Sequence, residues 1–248
     1  MSFDLALKHW DEFVQGIWLT LHLTGLALLI GGLIAIPVAF AMLRGGFAGW
    51  LAQGYVYVFR GTPLLVQVYI IYYGVSQFDF IRDTWLCPSL RSAWWCALIA
   101  FSLNSGAYVA EILRGALKNT PKGELEGAKA LGLSEKQVRK LIHFPSAFRR
   151  ALPQYGNEVI FMLHGSAVAS VITLQDILGV GRTINGRYYV AYEGFISAAI
   201  LYLCITYALI FLFRIMERKY LKHLNIREST VKRSLFGRTL AGPALDRG

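Results

Sequence analysis

Residues 16–43 read "GIWLTLHLTGLALLIGGLIAIPVAFAML", a run with no Asp, Glu, Lys or Arg and a single histidine. Roughly 20 such residues, wound as a helix, cross the hydrocarbon core of a bilayer. Inside a bilayer every backbone polar group has to be satisfied internally, so the run can only be a helix. Further apolar runs follow, and the whole chain shares their character. Of its 248 residues 55% are hydrophobic and 16% charged, with a mean hydropathy of +0.46. A water-soluble domain carries about a quarter charged residues. The expected fold class is therefore an all-α polytopic membrane protein.

Five spans are predicted, at 16–43, 52–76, 93–115, 152–174 and 194–216. The second is interrupted by the polar "RGTP" of residues 60–63, and the fourth is short and polar. Tyr55, Tyr57, Trp94, Trp95, Tyr188, Tyr189 and Tyr192 sit near span ends, where amphipathic rings favour the headgroup level. With the N-terminus outside, Lys8, Arg82, Arg91, Arg182 and Arg187 are the outer basic residues, and the other twenty of the 25 lie inside. Cytoplasmic loops carry the excess of Lys and Arg, so the topology is N-out and C-in. Asp4, Asp11 and Glu12 precede the first span where a cleavable signal would carry basic residues. The division expected is one membrane domain over 1–223 and a basic cytoplasmic tail over 224–248, near anionic lipid headgroups. Cys87, Cys96 and Cys204 have no metal-ligand spacing, and Cys96 and Cys204 read as buried thiols. His22, in the first span, reads as a core residue.

Between the third and fourth spans the chain spends residues 120–150 on a charged cytoplasmic segment. Thr120 is a candidate N-cap with Pro121 at the first helical position. Leu125, Ala128 and Leu131 form one apolar stripe, and Gly132 suits the left-handed position that ends a helix. Ser134 and Gln137 then have capping-box spacing. Val138, Leu141 and Ile142 make a second stripe, which Pro145 is expected to end. The segment thus predicts two short helices and a tight turn. It could be a loop lying on the membrane surface, a DNA-reading helix-turn-helix using Lys136, Arg139 and Lys140, or a docking knob for a cytoplasmic protein. Pinning between two spans disfavours nucleic acid.

"EGAKALGLSEKQVRKLIHFP" resembles the EAA loop of permease subunits of ATP-binding-cassette importers. Glu126, Ala128, Gly132, Ile142 and Pro145 are in register with that motif, whereas Gly127 stands for an Ala and Phe144 for a Leu. "FRGTPLLVQ" (59–67), "AYVAEILRGAL" (107–117) and "ALPQYGNEVI" (151–160) are similar to landmarks of the polar amino-acid branch of that family. "MLHGSA" (162–167) resembles the subunit in importers of histidine, lysine, arginine, ornithine and opines. The resemblance implies a type I ABC importer permease fold in the bacterial inner membrane. It implies a homologous but distinct second permease subunit, two cytoplasmic ATPases and a periplasmic binding protein that delivers the substrate. It also implies that the ATPases grip the loop around Glu126, Gly127, Ala128, Gly132, Ser134 and Pro145.

Glu158 is the sharpest candidate for substrate contact. A charge at the centre of a membrane helix costs about 2.5–3.5 kcal/mol on insertion scales, so it should face a cavity or a partner. A structural carboxylate bonded to a neighbouring helix is the competing reading. Asn157, His164 and Ser166 share its span, with 157 and 164 on one helical face. Thr62, in the break of the second span, and Asn104, in mid-span, complete the set. Asn104 and Ser105 could equally serve only to bond neighbouring helices, and Arg60 could anchor a kink in the headgroups. Glu111 and Arg114, three apart, are expected to form an ion pair. No nucleotide-binding GxxxxGK[ST] sequence, nucleophile–base pair or metal cluster is present, so no cofactor is expected on this chain. ATP and magnesium would belong to a partner. An ATP-independent facilitator or a non-transporting anchor subunit would be the other functions compatible with the same residues.

Overall fold

The computed structural model describes residues 4–74, 77 and 92–221, and every regular element among them is helical. Arg82, Cys87, Arg91, the last two residues of the predicted second span and the tail 224–248 lie outside the described residues. The helices are α1 (Asp4–Lys8), α2 (Trp10–Arg44), α3 (Gly46–Gly61) and α4 (Leu64–Tyr69), the last continued by a π turn (Ile70–Gly74). Next come α5 (Ala93–Lys118), α6 (Lys122–Ala130), α7 (Glu135–Gln137), a π turn (Val138–His143) and α8 (Phe144–Gly165). A 3₁₀ segment (Ser166–Ile172), α9 (Ile177–Tyr188) and α10 (Ala191–Tyr220) close the chain.

Among the described residues three helices are long and apolar enough to cross a membrane unaided: α2, α5 and α10. A fourth candidate is composite, Glu135–Ile172 followed by Ile177–Tyr188 with a 41° bend between them. The predicted second span is not one helix. It breaks at Thr62 and Pro63, whose backbones are extended. Proline lacks the N–H that would continue the helix and drives the preceding residue to extended geometry.

At the centre, α2 packs along α5. Ala27, Gly31, Ala35 and Ala39 recur every four residues on the buried face of α2. A Cβ on Gly31 would lie 2.9 Å from the Gly106 backbone nitrogen of α5. In lipid, helix pairs gain mainly from close backbone packing, which small residues permit. The opposite extreme is α10, which buries only Gly194 and Ala198 and leaves Leu203, Tyr207 and Phe211 exposed.

The segment 120–150 departs from the two-helix expectation. Thr120 does not cap α6: its hydroxyl donates back to Ala116 O (3.2 Å), and Pro121 holds the N-cap position. Pro145 does not end the second helix either. Phe144 N bonds Arg139 O across a π turn, and Pro145 begins α8. The wider turn absorbs proline's missing donor and ring bulk. The helical path therefore runs unbroken from Glu135 into the fourth span.

Two packing expectations are also corrected. His22 is exposed, its ring stacked between Trp18 and Trp94 with centroids 5.8 and 5.9 Å away. Cys96 is buried, whereas Cys204 lies on the exposed face of α10. Each residue followed the outward stripe of its helix, a property that an apolar run does not disclose.

Candidate functional site

A cavity of about 690 Å³ opens where the α3–α4 break, α5 and α8 face one another. Thr62, Asn104, Asn157 and Glu158 all line it, so the fold brings four of the six candidates together. His164 and Ser166 do not line it. His164 is exposed and its Nε2 is 2.9 Å from Thr206 Oγ1 on α10, and the buried Ser166 hydroxyl donates to Leu163 O (2.7 Å). The helix tightens to 3₁₀ from Ser166 onward, which takes that hydroxyl off the cavity face of α8.

Glu158 is 6% exposed, and among the described residues no hydrogen bond or salt bridge engages its carboxylate. Burying a carboxylate is expensive, and the positive charge of Arg60 on the same cavity wall offsets part of that cost. The cavity wall opposite owes its shape to Pro63. The break frees carbonyls at Phe59 and Thr62, and Gln67 Nε2 lies 2.8 and 3.1 Å from them. Asn104 Nδ2 donates to Phe59 O (3.2 Å) and to Gln67 Oε1 (3.0 Å). Gln67 Nε2 also reaches Thr62 Oγ1 (2.8 Å), which in turn donates to Val58 O (2.8 Å). Asn104 thus bonds the neighbouring helix and lines the cavity at once.

Sequence reasoning did not single out Gln67, Tyr108 or Gln154, and it treated Arg60 as a headgroup anchor. Arg60 lines the cavity, with its Cζ 5.1 Å over the centroid of the Tyr108 ring. The signal for Gln67 was available: a lone amide four residues beyond a proline in an apolar run can recover the carbonyls that the proline frees. Arg60, Gly61 and Tyr108 also bound a second cavity of about 490 Å³, which holds Glu111 and Arg114. Those two form the expected pair, with Arg114 Nε donating to Glu111 Oε2 (2.8 Å) and a second, short bond from Nη2 to Oε1. Asp176 was missed too. It is buried and caps α9 by accepting from Gly179 N (2.8 Å), while Tyr202 OH donates to its other oxygen (3.1 Å).

The segment 120–150 forms a compact knob. Gly132 has φ +79°, and its N–H bonds Lys129 O (2.9 Å) while Leu133 N bonds Ala128 O (3.3 Å), the paired closure that ends a helix on a left-handed residue. Ser134 and Gln137 form the capping box: Ser134 N donates to Gln137 Oε1 (2.9 Å) and Gln137 N to Ser134 Oγ (3.4 Å). Lys129 pairs with Glu135 (2.7 Å) across the turn, and that exposed pair holds the Glu135 carboxyl below its ordinary pKa. Ala128 is buried, and Glu126, Gly127, Gly132 and Ser134 face outward with Leu131, Leu141 and Phe148.

Residues 27–222 match the family described as the binding-protein-dependent transport system inner membrane component, and the chain belongs to that family. It is a permease of the ATP-binding-cassette importers, a transport subunit and not an enzyme. It is 41% identical over 223 residues to the octopine transport system permease protein OccM of Rhizobium radiobacter, covering 88% of this chain and 90% of that one. The histidine/lysine/arginine/ornithine transport system permease protein HisM of Salmonella typhimurium is 40% identical over 234 residues, covering 90% of this chain and 98% of that one. Among solved structures, an amino acid ABC transporter crystallised with histidines is similar at a TM-score of 0.79 and 33% identity, over 88% of this chain and 99% of that one.

Proposed function

We propose that this chain forms the translocation pathway of an ATP-driven importer for basic amino acids (histidine, arginine, lysine or ornithine) or related opines. The observation that carries the reading is Glu158: a buried carboxylate that no hydrogen bond or salt bridge engages among the described residues, set in a cavity beside a broken helix. Broken helices in transporters expose backbone and side-chain polar groups to substrate at membrane depth. The relatives named for octopine and for histidine, lysine, arginine and ornithine support a ligand that carries a cationic group.

In this reading five spans run N-out to C-in, the second and fourth being the broken and composite helices. A similar, distinct permease subunit pairs with this one, and an external binding protein delivers substrate. Two ATPases, holding ATP and magnesium, grip the knob around Glu126–Pro145. Leu131, at 84% exposed, and Leu141 supply apolar surface for that grip. Because the helical path from Glu135 continues through α8, displacing the knob displaces Glu158 without a hinge between them. ATP-driven closure then turns the cavity from one side of the membrane to the other.

The test is uptake by the assembled complex reconstituted in vesicles. ATP hydrolysis should rise when loaded binding protein is added, and arginine uptake should stop without ATP. Uptake persisting without ATP would replace this reading with a facilitator.

A further inference from the structure

We propose that Arg60 is the carboxylate-recognising residue of the Glu158 cavity, so that the site reads an amino acid by two oppositely charged ends. The inference rests on the function proposed above and adds a specificity-determining residue to it.

Arg60 is in the last turn of α3, immediately before the break, and among the described residues it is the only basic side chain lining the cavity. Its guanidinium is steadied over the Tyr108 ring, which occupies a face and leaves the N–H edges free. Among the described residues no carboxylate lies within 4.0 Å of it. Glu111, in the adjoining cavity, is taken by two bonds from Arg114. The neutral donors of the break are spent as well: the Gln67 and Asn104 amides bond Phe59 O and one another, and the Thr62 hydroxyl donates to Val58 O. A guanidinium and a carboxylate therefore share one cavity, each acting on the other through charge but neither held in a hydrogen bond or salt bridge among the described residues. A guanidinium binds carboxylate through two parallel N–H bonds, whereas Glu158 suits an ammonium or guanidinium.

The experiment uses the assembled permease–ATPase complex in lipid nanodiscs without the binding protein, so that selection upstream does not intervene. Binding of radiolabelled L-arginine is measured against competition by agmatine, which keeps the two cationic groups and lacks the carboxylate. The unaltered complex should prefer arginine. Arg60→Gln should weaken arginine about tenfold to a hundredfold, the worth of a charge-assisted hydrogen bond, while agmatine changes by less than about threefold. Equal weakening of both ligands, or no change in either, overturns the proposal. Arg60→Lys covers a failure of Arg60→Gln to assemble. It keeps the charge and loses the fork, so the preference for arginine should fall by about threefold or more, and an unchanged preference overturns the proposal. Glu158→Gln separates this inference from its parent, because it should weaken both ligands. If Glu158→Gln leaves both unchanged, or arginine does not bind the unaltered complex, the proposed substrate site is wrong whatever Arg60 does.

Discussion

Glu124 and Arg150, 26 residues apart in the chain, meet at 2.7 Å across the base of the knob formed by residues 120–150. Ser146 donates to the other oxygen of Glu124 at 2.6 Å, so the carboxylate clamps α6 against the first turns of α8. The knob is thereby tied to the helix that carries Glu158.

Breaking that clamp should loosen coupling more than folding. The pair is partly exposed, and such pairs contribute up to about 1 kcal/mol after screening. Glu124→Ala is expected to leave the complex assembled and to raise ATP hydrolysed per arginine transported by about threefold. Arg150→Ala should do the same, and the double variant no more than either single one. Unchanged coupling ratios in both single variants would mean that the clamp transmits nothing.

Gly132 is the knob's most sensitive backbone position. A left-handed conformation costs a residue with a Cβ roughly 1–2 kcal/mol. Gly132→Val should reduce the ATPase recovered with the permease at least fivefold on copurification, whereas Gly132→Asn, which tolerates this conformation, should retain most of it. Equal recovery for both variants would remove the turn's shape as the reason for the glycine.

Gln67 is expected to be a scaffold residue. Gln67→Leu strips one donor each from Phe59 O and Thr62 O and leaves the buried Asn104 amide without its Gln67 Oε1 acceptor, a loss of about 1–3 kcal/mol. The thermal midpoint of the detergent-solubilised complex should drop by roughly 4–10 °C. Adding Asn104→Ala should depart from the sum of the two single effects, since the amides bond one another and share Phe59 O. A midpoint that does not move would show that water satisfies the break.

Asp176→Ala should release the start of α9, at about 1–2 kcal/mol for a lost N-cap. Hydrogen exchange over residues 177–188 is the direct readout, with Asp176→Asn intermediate because its amide oxygen still accepts from Gly179. Exchange as slow as in the unaltered protein would assign the role to packing against α2 and α10 instead.

Much of this was legible from residue patterns because the relevant interactions are local. The apolar runs at 16–43, 93–115 and 194–216 each fall within a longer continuous helix. Gly132 and the Ser134–Gln137 box were readable because turn and cap chemistry acts over three or four residues. Pro145 misled, since a π turn can rescue a proline and nothing in local propensity announces one. Helix α9 was not foreseen from the residues because Asp176, its cap, completes its bonds with Tyr202, 26 residues away.

Chain chemistry by itself determined that this protein is helical and membrane-bound, and that a charged knob with a glycine turn separates two of its apolar runs. Those properties follow from side-chain hydropathy and backbone sterics, which need no distant partner. Tertiary structure alone decided that Arg60 faces the cavity of Glu158, that His164 turns toward Thr206, and that the knob continues into the fourth span. Which stripe of a helix meets a cavity depends on how neighbouring helices pack, as where Gly31 and Gly106 let α2 and α5 approach closely.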